Sequence, residues 1–215
     1  MAQTSTALSG AKKHISDVTG TDISFTATGT EYKITSTSTT LSGFSVRDLI
    51  TVTGTTNNNK TFTVKTVSSA NQLIVEEIVT TETSDGSTTT TLDHTGFVTD
   101  KAKGDGYFSQ PDGVHTVAYQ VVNRGDSTDD FHGTIKMQGS LATTPTEDDY
   151  FDISGTTYTS DQSTTIASFN FTGNFVWVRA KVETTNASGN GALVNSILLN
   201  SCLLYTSPSP RDLYR

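Results

Sequence analysis

The stretch 173–186, GNFVWVRAKVETTN, limits the fold of this chain more than any other. Read with a period of two, Val176, Val178, Ala180 and Val182 fall on one face, and Phe175, Trp177, Arg179 and Lys181 on the other. Successive side chains of a β-strand point to opposite sides, so this alternation marks a strand with one buried and one partly solvated face. Small β-branched residues suit the pleated inner face. The other row sets the only Trp of the chain beside two cations. It reads as a cap on the edge of a sandwich, since scattered exposed apolar residues are ordinary. It reads equally as a subunit or ligand contact, since aromatics and Arg are enriched in interface cores. Phe175, Trp177, Arg179 and Lys181 are therefore the candidate interface.

Shorter alternating runs recur along the chain, and Thr is its commonest residue. Thr is β-branched, favours strands and keeps an exposed strand hydrated. The composition is that of an all-β protein. Disorder does not fit, because only 17% of the residues are charged and the apolar alternation is regular. A length of 215 residues allows one large or two small domains. The net charge of -8 and a pI near 4.8 argue against a nucleic-acid partner. No apolar run approaches the roughly 20 residues of a membrane span. The start, MAQTSTALSGAKKHIS, lacks the apolar core of a secretory signal, and residues 1–14 are expected to form a flexible or partner-bound arm.

Taken in order, ISFTAT and EYKITS pair around Gly29-Thr30, DLITVT ends at Gly54, and the Asn-rich turn 57–60 leads into TFTVKTV and QLIVEEIV. Asp85-Gly86 predicts a hairpin. Residues 94–106 show no periodicity and carry Gly96, Gly104 and Gly106, which places a linker at 94–112 between modules at 15–93 and 113–200. The second module opens on GVHTVAYQVV, with Val117, Tyr119 and Val121 on one face. It continues through FHGTIKMQGSL, YFDI and a strand at 164–171 to the organising stretch and a last strand at 192–199.

Two resemblances follow from these residues. GFSVRDLITVTGTTNNNKTFTVKTVSSANQLIVEE resembles a module that recurs in tailed-phage virion proteins, carried here by Gly43, Phe44, Asp48, Ile50, Val52, Asn57, Phe62, Val64, Leu73, Val75 and Glu76. It covers about residues 15–92. The chain departs from it at Arg47 and Lys60, where the family usually has Gly. Residues 113–199 look like a second recurrent phage module, a jelly-roll-like sandwich. Its marks are Gly133-Thr134-Ile135, Gly139-Ser140-Leu141, Phe151 with Asp152, and the run from Gly173 to Val182. The resemblances imply a small β-barrel-like module followed by a jelly-roll-like β-sandwich. They imply a structural protein of the virion, in head, neck or tail, assembled in the host cytoplasm with other virion proteins and with itself. They supply no catalytic residues.

The residues themselves offer no catalytic constellation, cofactor motif or metal motif. The four histidines, His14, His94, His115 and His132, lack metal-type spacing. Asp126, Asp129 and Asp130 with Glu147, Asp148 and Asp149 would offer oxygens to Ca²⁺ if their loops met, but no complete loop motif is present. Arg124-Gly125-Asp126 and the acceptor patterns at Asn170 and Asn186 carry no weight by themselves. Glu76/Glu77 and Asp148/Asp149 are adjacent pairs, and neighbours on a strand point to opposite faces, so neither pair forms a hydrolase site alone. A carbohydrate-binding module is the alternative to a structural part, with Trp177 or Tyr107 stacking on a sugar.

The end of the chain reads differently. CLLYTSPSPRD, residues 202–212, looks like the reading-frame translation of a transposase-based sequencing adaptor, which suggests an uncultured, metagenomic source. Residues 201–215 are accordingly set apart from the fold, and with them the one cysteine, Cys202. A genuine Pro-rich tail is the competing reading. Deleting Cys202 to Arg215 is expected to leave the thermal midpoint unchanged, as scanning calorimetry would measure. A midpoint several degrees lower would show that the tail packs.

Overall fold

The computed structural model describes residues 5–109, 113–123, 130–185 and 192–202. Strands β1 (Ser5–Ser9), β2 (Lys12–Lys13) and β3 (Val18–Gly20) open the chain. β4 (Ser24–Thr28), β5 (Glu31–Thr35), β6 (Asp48–Thr53), β7 (Thr61–Ser69) and β8 (Gln72–Val75) follow. β9 (Thr90–Val98) and β10 (Ala102–Lys103) lead to β11 (Val114–Val121), β12 (Gly133–Ser140), β13 (Phe151–Asp152) and β14 (Tyr158–Thr159). β15 (Ile166–Thr172), β16 (Trp177–Thr184) and β17 (Ala192–Cys202) complete the set. Among the described residues the only helical pieces are 3₁₀ turns at Asp105–Phe108 and Glu147–Asp149. Among the described residues no helix is long and apolar enough to cross a membrane. The chain is all-β, as the alternation implies.

The ladders are antiparallel and build two sheets. One runs β1-β17-β11-β15, and the other β13-β12-β16-β9-β6-β7-β8-β5-β4. Val117, Tyr119, Ile197 and Leu199 of the first sheet pack with Ile135, Met137, Val178, Ala180 and Val182 of the second, giving a sandwich core. The rest of the long sheet curls over a second core of Phe25, Ile34, Ile50, Phe62, Leu73 and Leu92. Among the described residues no ladder joins β4 back to β9, so the first module is a curled sheet.

Four expectations are corrected. The arm 1–14 holds two strands, because β1 and β2 pair with β17 and Leu8 enters the sandwich core. A single inward apolar residue is too short a pattern to read as a strand. The Asp85-Gly86 turn does not join two paired strands. Glu82 bridges Phe25 instead, and the Asp85 carboxylate accepts the Ser87 and Thr88 N–H groups. The linker 94–112 begins inside β9, which pairs with β6 of the first module and with β16 of the second. At the end of the chain, β17 takes in Ser201 and Cys202 opposite His115 and Val114, so the first two residues set apart as tail lie in the sheet.

The crossing in β9 depends on a bulge and a glycine. The β6–β9 register slips between Leu49 and Ile50, opposite Gly96 and His94, which places one extra residue in β9 and bends it. Gly96 sits at φ 133°, and a Cβ there would collide with the Val182 carbonyl of β16. Only glycine allows that conformation and that approach. Arg47, which stands where the resembled phage module usually has Gly, lies at φ 73°. Its N–H donates to the Val64 carbonyl at 2.7 Å, and its own carbonyl accepts the Val98 N–H at 3.0 Å, so the strained residue ties β7 to the end of β9. Gly96→Ala is expected to destabilise the protein by about 1–3 kcal/mol from backbone strain alone, with the collision adding to it. Urea unfolding measures this, and an unchanged midpoint would refute the crossing.

Candidate functional site

The organising strand is β16, and it begins only at Trp177. Val178, Ala180 and Val182 are buried in the sandwich core as the alternation implies. Residues 173–176 cross from β15 in one sheet to β16 in the other, so the period-two phase does not reach them. Val176 is only partly buried and Phe175 turns inward, with 9% exposed. Its ring fits a slot where a Cβ on Gly139 or Gly173 would overlap it, and it packs 5.9 Å from Phe151 and 6.3 Å from Phe171. Phe175 is thus a core residue, in correction of its place on the outer row.

Arg179 does keep to the outer row, but the row is covered there. Its side chain is 4% exposed. Nε donates to Gln138 Oε1 at 3.0 Å across the β12–β16 ladder, and the two terminal nitrogens reach both oxygens of Glu147 at 2.9 and 2.7 Å. The guanidinium also lies 3.6 Å from the centre of the Tyr150 ring. This fork-and-stack geometry is what Arg supplies and Lys does not. It fastens the loop 143–150 onto the sheet. Glu147 is presented by the 3₁₀ turn, whose Thr146 N–H and hydroxyl both donate to Asp149. Lys181 sits opposite Lys136, and the pair is held by Glu183, 2.8 Å from Lys181 and 3.1 Å from Lys136, with Asp152 2.9 Å from Lys136.

Trp177 is half-buried. Its indole N–H donates to the Thr143 carbonyl at 3.1 Å, Lys101 lies 4.5 Å over the ring, and Tyr107 meets it edge-on at 5.0 Å. The aromatic surface left open at this end belongs to Tyr107 and Phe108, 42% and 52% exposed, with Lys103 4.1 Å over Tyr107. The structure therefore separates the four candidate residues. Phe175 and Arg179 are internal, whereas Trp177 and Lys181 remain partly exposed.

Of the acidic residues, Glu76 and Glu77 meet Glu147 and Asp148. Glu76, Glu77, Glu147 and Asp148 line one cleft of about 570 Å³ with Lys60, Lys65 and Pro145. Most of these carboxylates are already engaged. Glu76 pairs with Lys65 at 3.1 Å, Glu147 is held by Arg179, and Glu77 accepts the Thr63 N–H at 2.6 Å and its hydroxyl at 2.8 Å. Burial pushes the Glu77 carboxyl up from its ordinary range, and the nearby Glu147 charge adds to this. Asp126, Asp129, the tripeptide 124–126 and Asn186 lie outside the described residues, and Asp130 is buried. Among the described residues no three His, Cys, Asp or Glu groups are arranged to hold a metal.

Two further groupings join residues far apart in the chain, where spacing gives no signal. His14 and His94 are buried with their Nδ1 atoms 3.3 Å apart, and His94 Nε2 lies 3.7 Å from the buried Asp48. The Ile15 N–H donates to His94 Nδ1, which must therefore be unprotonated, so His14 Nδ1 is the donor between the rings. Burial and the neighbouring His94 lower the His14 pKa. This cluster pins the start of the chain to β9. In the second grouping, Ser201 Oγ lies 3.0 Å from His115 Nδ1, and His115 Nε2 lies 3.2 Å from Asp105 Oδ2. Those are the residue types of a nucleophilic triad, but His115 is 1% exposed and stacked on Phe171, and its Nε2 is not aligned for a hydrogen bond with Asp105. Asp105 accepts the Gly113 N–H at 2.7 Å instead, which ties the 3₁₀ turn to the residue before β11.

Comparison of the chain with protein-family models, curated proteins and solved structures finds no match.

The raised carboxyl of Glu77 carries a pH dependence. Its folded pKa lies above its unfolded one, so folding takes up a proton between the two values and stability falls as pH rises through that interval. Glu77→Gln keeps both bonds to Thr63, with the hydroxyl turned to accept, and removes the charge. It is expected to raise the urea midpoint at pH 7 and to confer no gain below about pH 4. A less stable variant at pH 7 would refute the assignment.

Proposed function

We propose that the protein is a non-enzymatic structural component of a tailed-phage virion, accessory to head, neck or tail, working among other virion proteins and copies of itself. The observation that carries this reading is the shared strand β9, which welds two modules into one stiff body with two cores. An assembled shell or tail part needs that stiffness, and an enzyme needs a cleft with free catalytic groups. Here Glu76, Glu77 and Glu147 are committed to Lys65, Thr63 and Arg179. The two module resemblances point the same way. A second reading, a glycan-binding module on the virion surface, is favoured by the open rings of Tyr107 and Phe108 beside Lys103, since exposed aromatic faces suit sugar rings.

Mass spectrometry of purified particles of a phage carrying this gene is expected to recover the chain at a fixed copy number. The full chain is expected to resist labelling by a fluorophosphonate and to be inert towards activated esters. Absence from the particles overturns the structural role. Labelling that Ser201→Ala abolishes overturns the non-enzymatic one. Specific retention on a glycan array, lost in Tyr107→Ala, decides for the second reading.

A further inference from the structure

Among the described residues the sheet edges are guarded, with one exception. An edge strand presents unpaired N–H and C=O groups to any other chain, and natural proteins blunt such edges with bulges, charges, prolines or cover. β1 is five residues long and its register breaks between Ala7 and Ser9. β4 is bridged by Glu82, whose N–H and carbonyl bond with those of Phe25 at 2.9 and 2.8 Å. The outer edge of β12 is capped by the two-residue strands β13 and β14. β15, IASFNFT, has none of these devices. It is seven residues long, unbroken in register, and free of charge, proline and glycine. Among the described residues it pairs with β11 alone. Ile166 at its start is 60% exposed.

The phase of the open side follows from one bond. The Thr165 carbonyl accepts the Val121 N–H at 3.0 Å, so Thr165 and every second residue after it face β11. The N–H and C=O groups of Ile166, Ser168, Asn170 and Thr172 therefore face outward. A second β15 laid antiparallel, in the register centred on Phe169, sets Ile166 opposite Thr172 and Ser168 opposite Asn170, so all four outward residues pair. Opposed residues share a face of the sheet. The solvent face then pairs a β-branched residue with a β-branched residue and a hydroxyl with an amide. The core face sets small Ala167 against large Phe171, with Phe169 against its own copy.

The geometry points to β15 as a self-assembly edge: two copies of this chain join β15 to β15 about a twofold axis through Phe169, making one continuous sheet. A second copy is the fitting partner because the strand complements itself in this register, and because its lack of charge makes it a neutral seam in a chain of net charge -8. The pairing deepens the structural reading above, on which it rests for its purpose. Its test in solution is separate from that reading, which depends on presence in particles.

Sedimentation velocity of the full chain under reducing conditions is expected to show a monomer–dimer equilibrium that tightens with added salt, as screening removes repulsion between two acidic copies. Hydrogen exchange is expected to slow at the amides of Ser168 and Asn170 as concentration rises. Asn170→Pro deletes an outward N–H and leaves the β11 ladder intact, and Ser168→Lys puts a charge at the seam. Each variant is expected to stay monomeric with an unchanged circular dichroism spectrum, and the second serves if the first fails to fold. A wild-type chain that stays monomeric up to about 1 mM overturns the pairing. So does a dimer that survives in a folded variant while the β15 amides exchange at the monomer rate. A monomeric chain found in particles would overturn this edge and keep the structural role. A β15 dimer missing from particles would do the reverse.

Discussion

The approach of Gly96 to the Val182 carbonyl is the contact on which the architecture depends. β9 leaves the first core with Leu92 buried in it and enters the second with Phe97 buried there. Between those residues the chain must bend, shed one residue from the β6 ladder and come against β16. A bulge with glycine at its turning point does this without breaking the sheet. What would otherwise be two small domains on a tether becomes one body whose long sheet takes part in both cores. Small cores are marginal alone, since a short chain buries a smaller share of its surface, and sharing a strand lets each support the other.

The outer face of β16 shows how the charges are used. Arg179 is buried among Gln138, Glu147 and Tyr150, where removing one partner would leave the other desolvated. The pair therefore works as a fastener for the loop 143–150 more than as a source of net stability. Lys136, Lys181, Glu183 and Asp152 form a more exposed network beside it, where salt weakens each contact. The half-buried Trp177 ring is held by the same loop and by Lys101.

Much of the strand plan was legible. The alternation in GVHTVAYQVV, TIKMQ and VWVRAKV placed Val117, Tyr119, Ile135, Met137, Val178, Ala180 and Val182 on buried faces, and all are buried. It failed where periodicity ends. Phe175 lies in a crossover whose direction the ladder does not set, and DHTGFV in β9 is too polar and too short to announce a strand. Gly96 looks like loop punctuation, because a glycine required by close backbone approach and one required by a turn look the same in sequence. His14 with His94, and Ser201 with His115, meet across 80 and 86 positions, a distance over which spacing says nothing.

The sequence by itself determined the all-β class, the positions of most strands and the inward face of each, because side chains alternate along a strand whatever it pairs with. Only the tertiary structure decided which strands are neighbours. Pairing depends on backbone hydrogen bonds that every residue except proline offers equally, so the letters of β1 do not say that it closes the sheet of β17, nor those of β9 that it belongs to both modules. The same anonymity of the backbone hides which edge, among the described residues, is left unpaired. That β15 is an edge is a property of its place in the sheet, and its uncharged sequence acquires meaning only there.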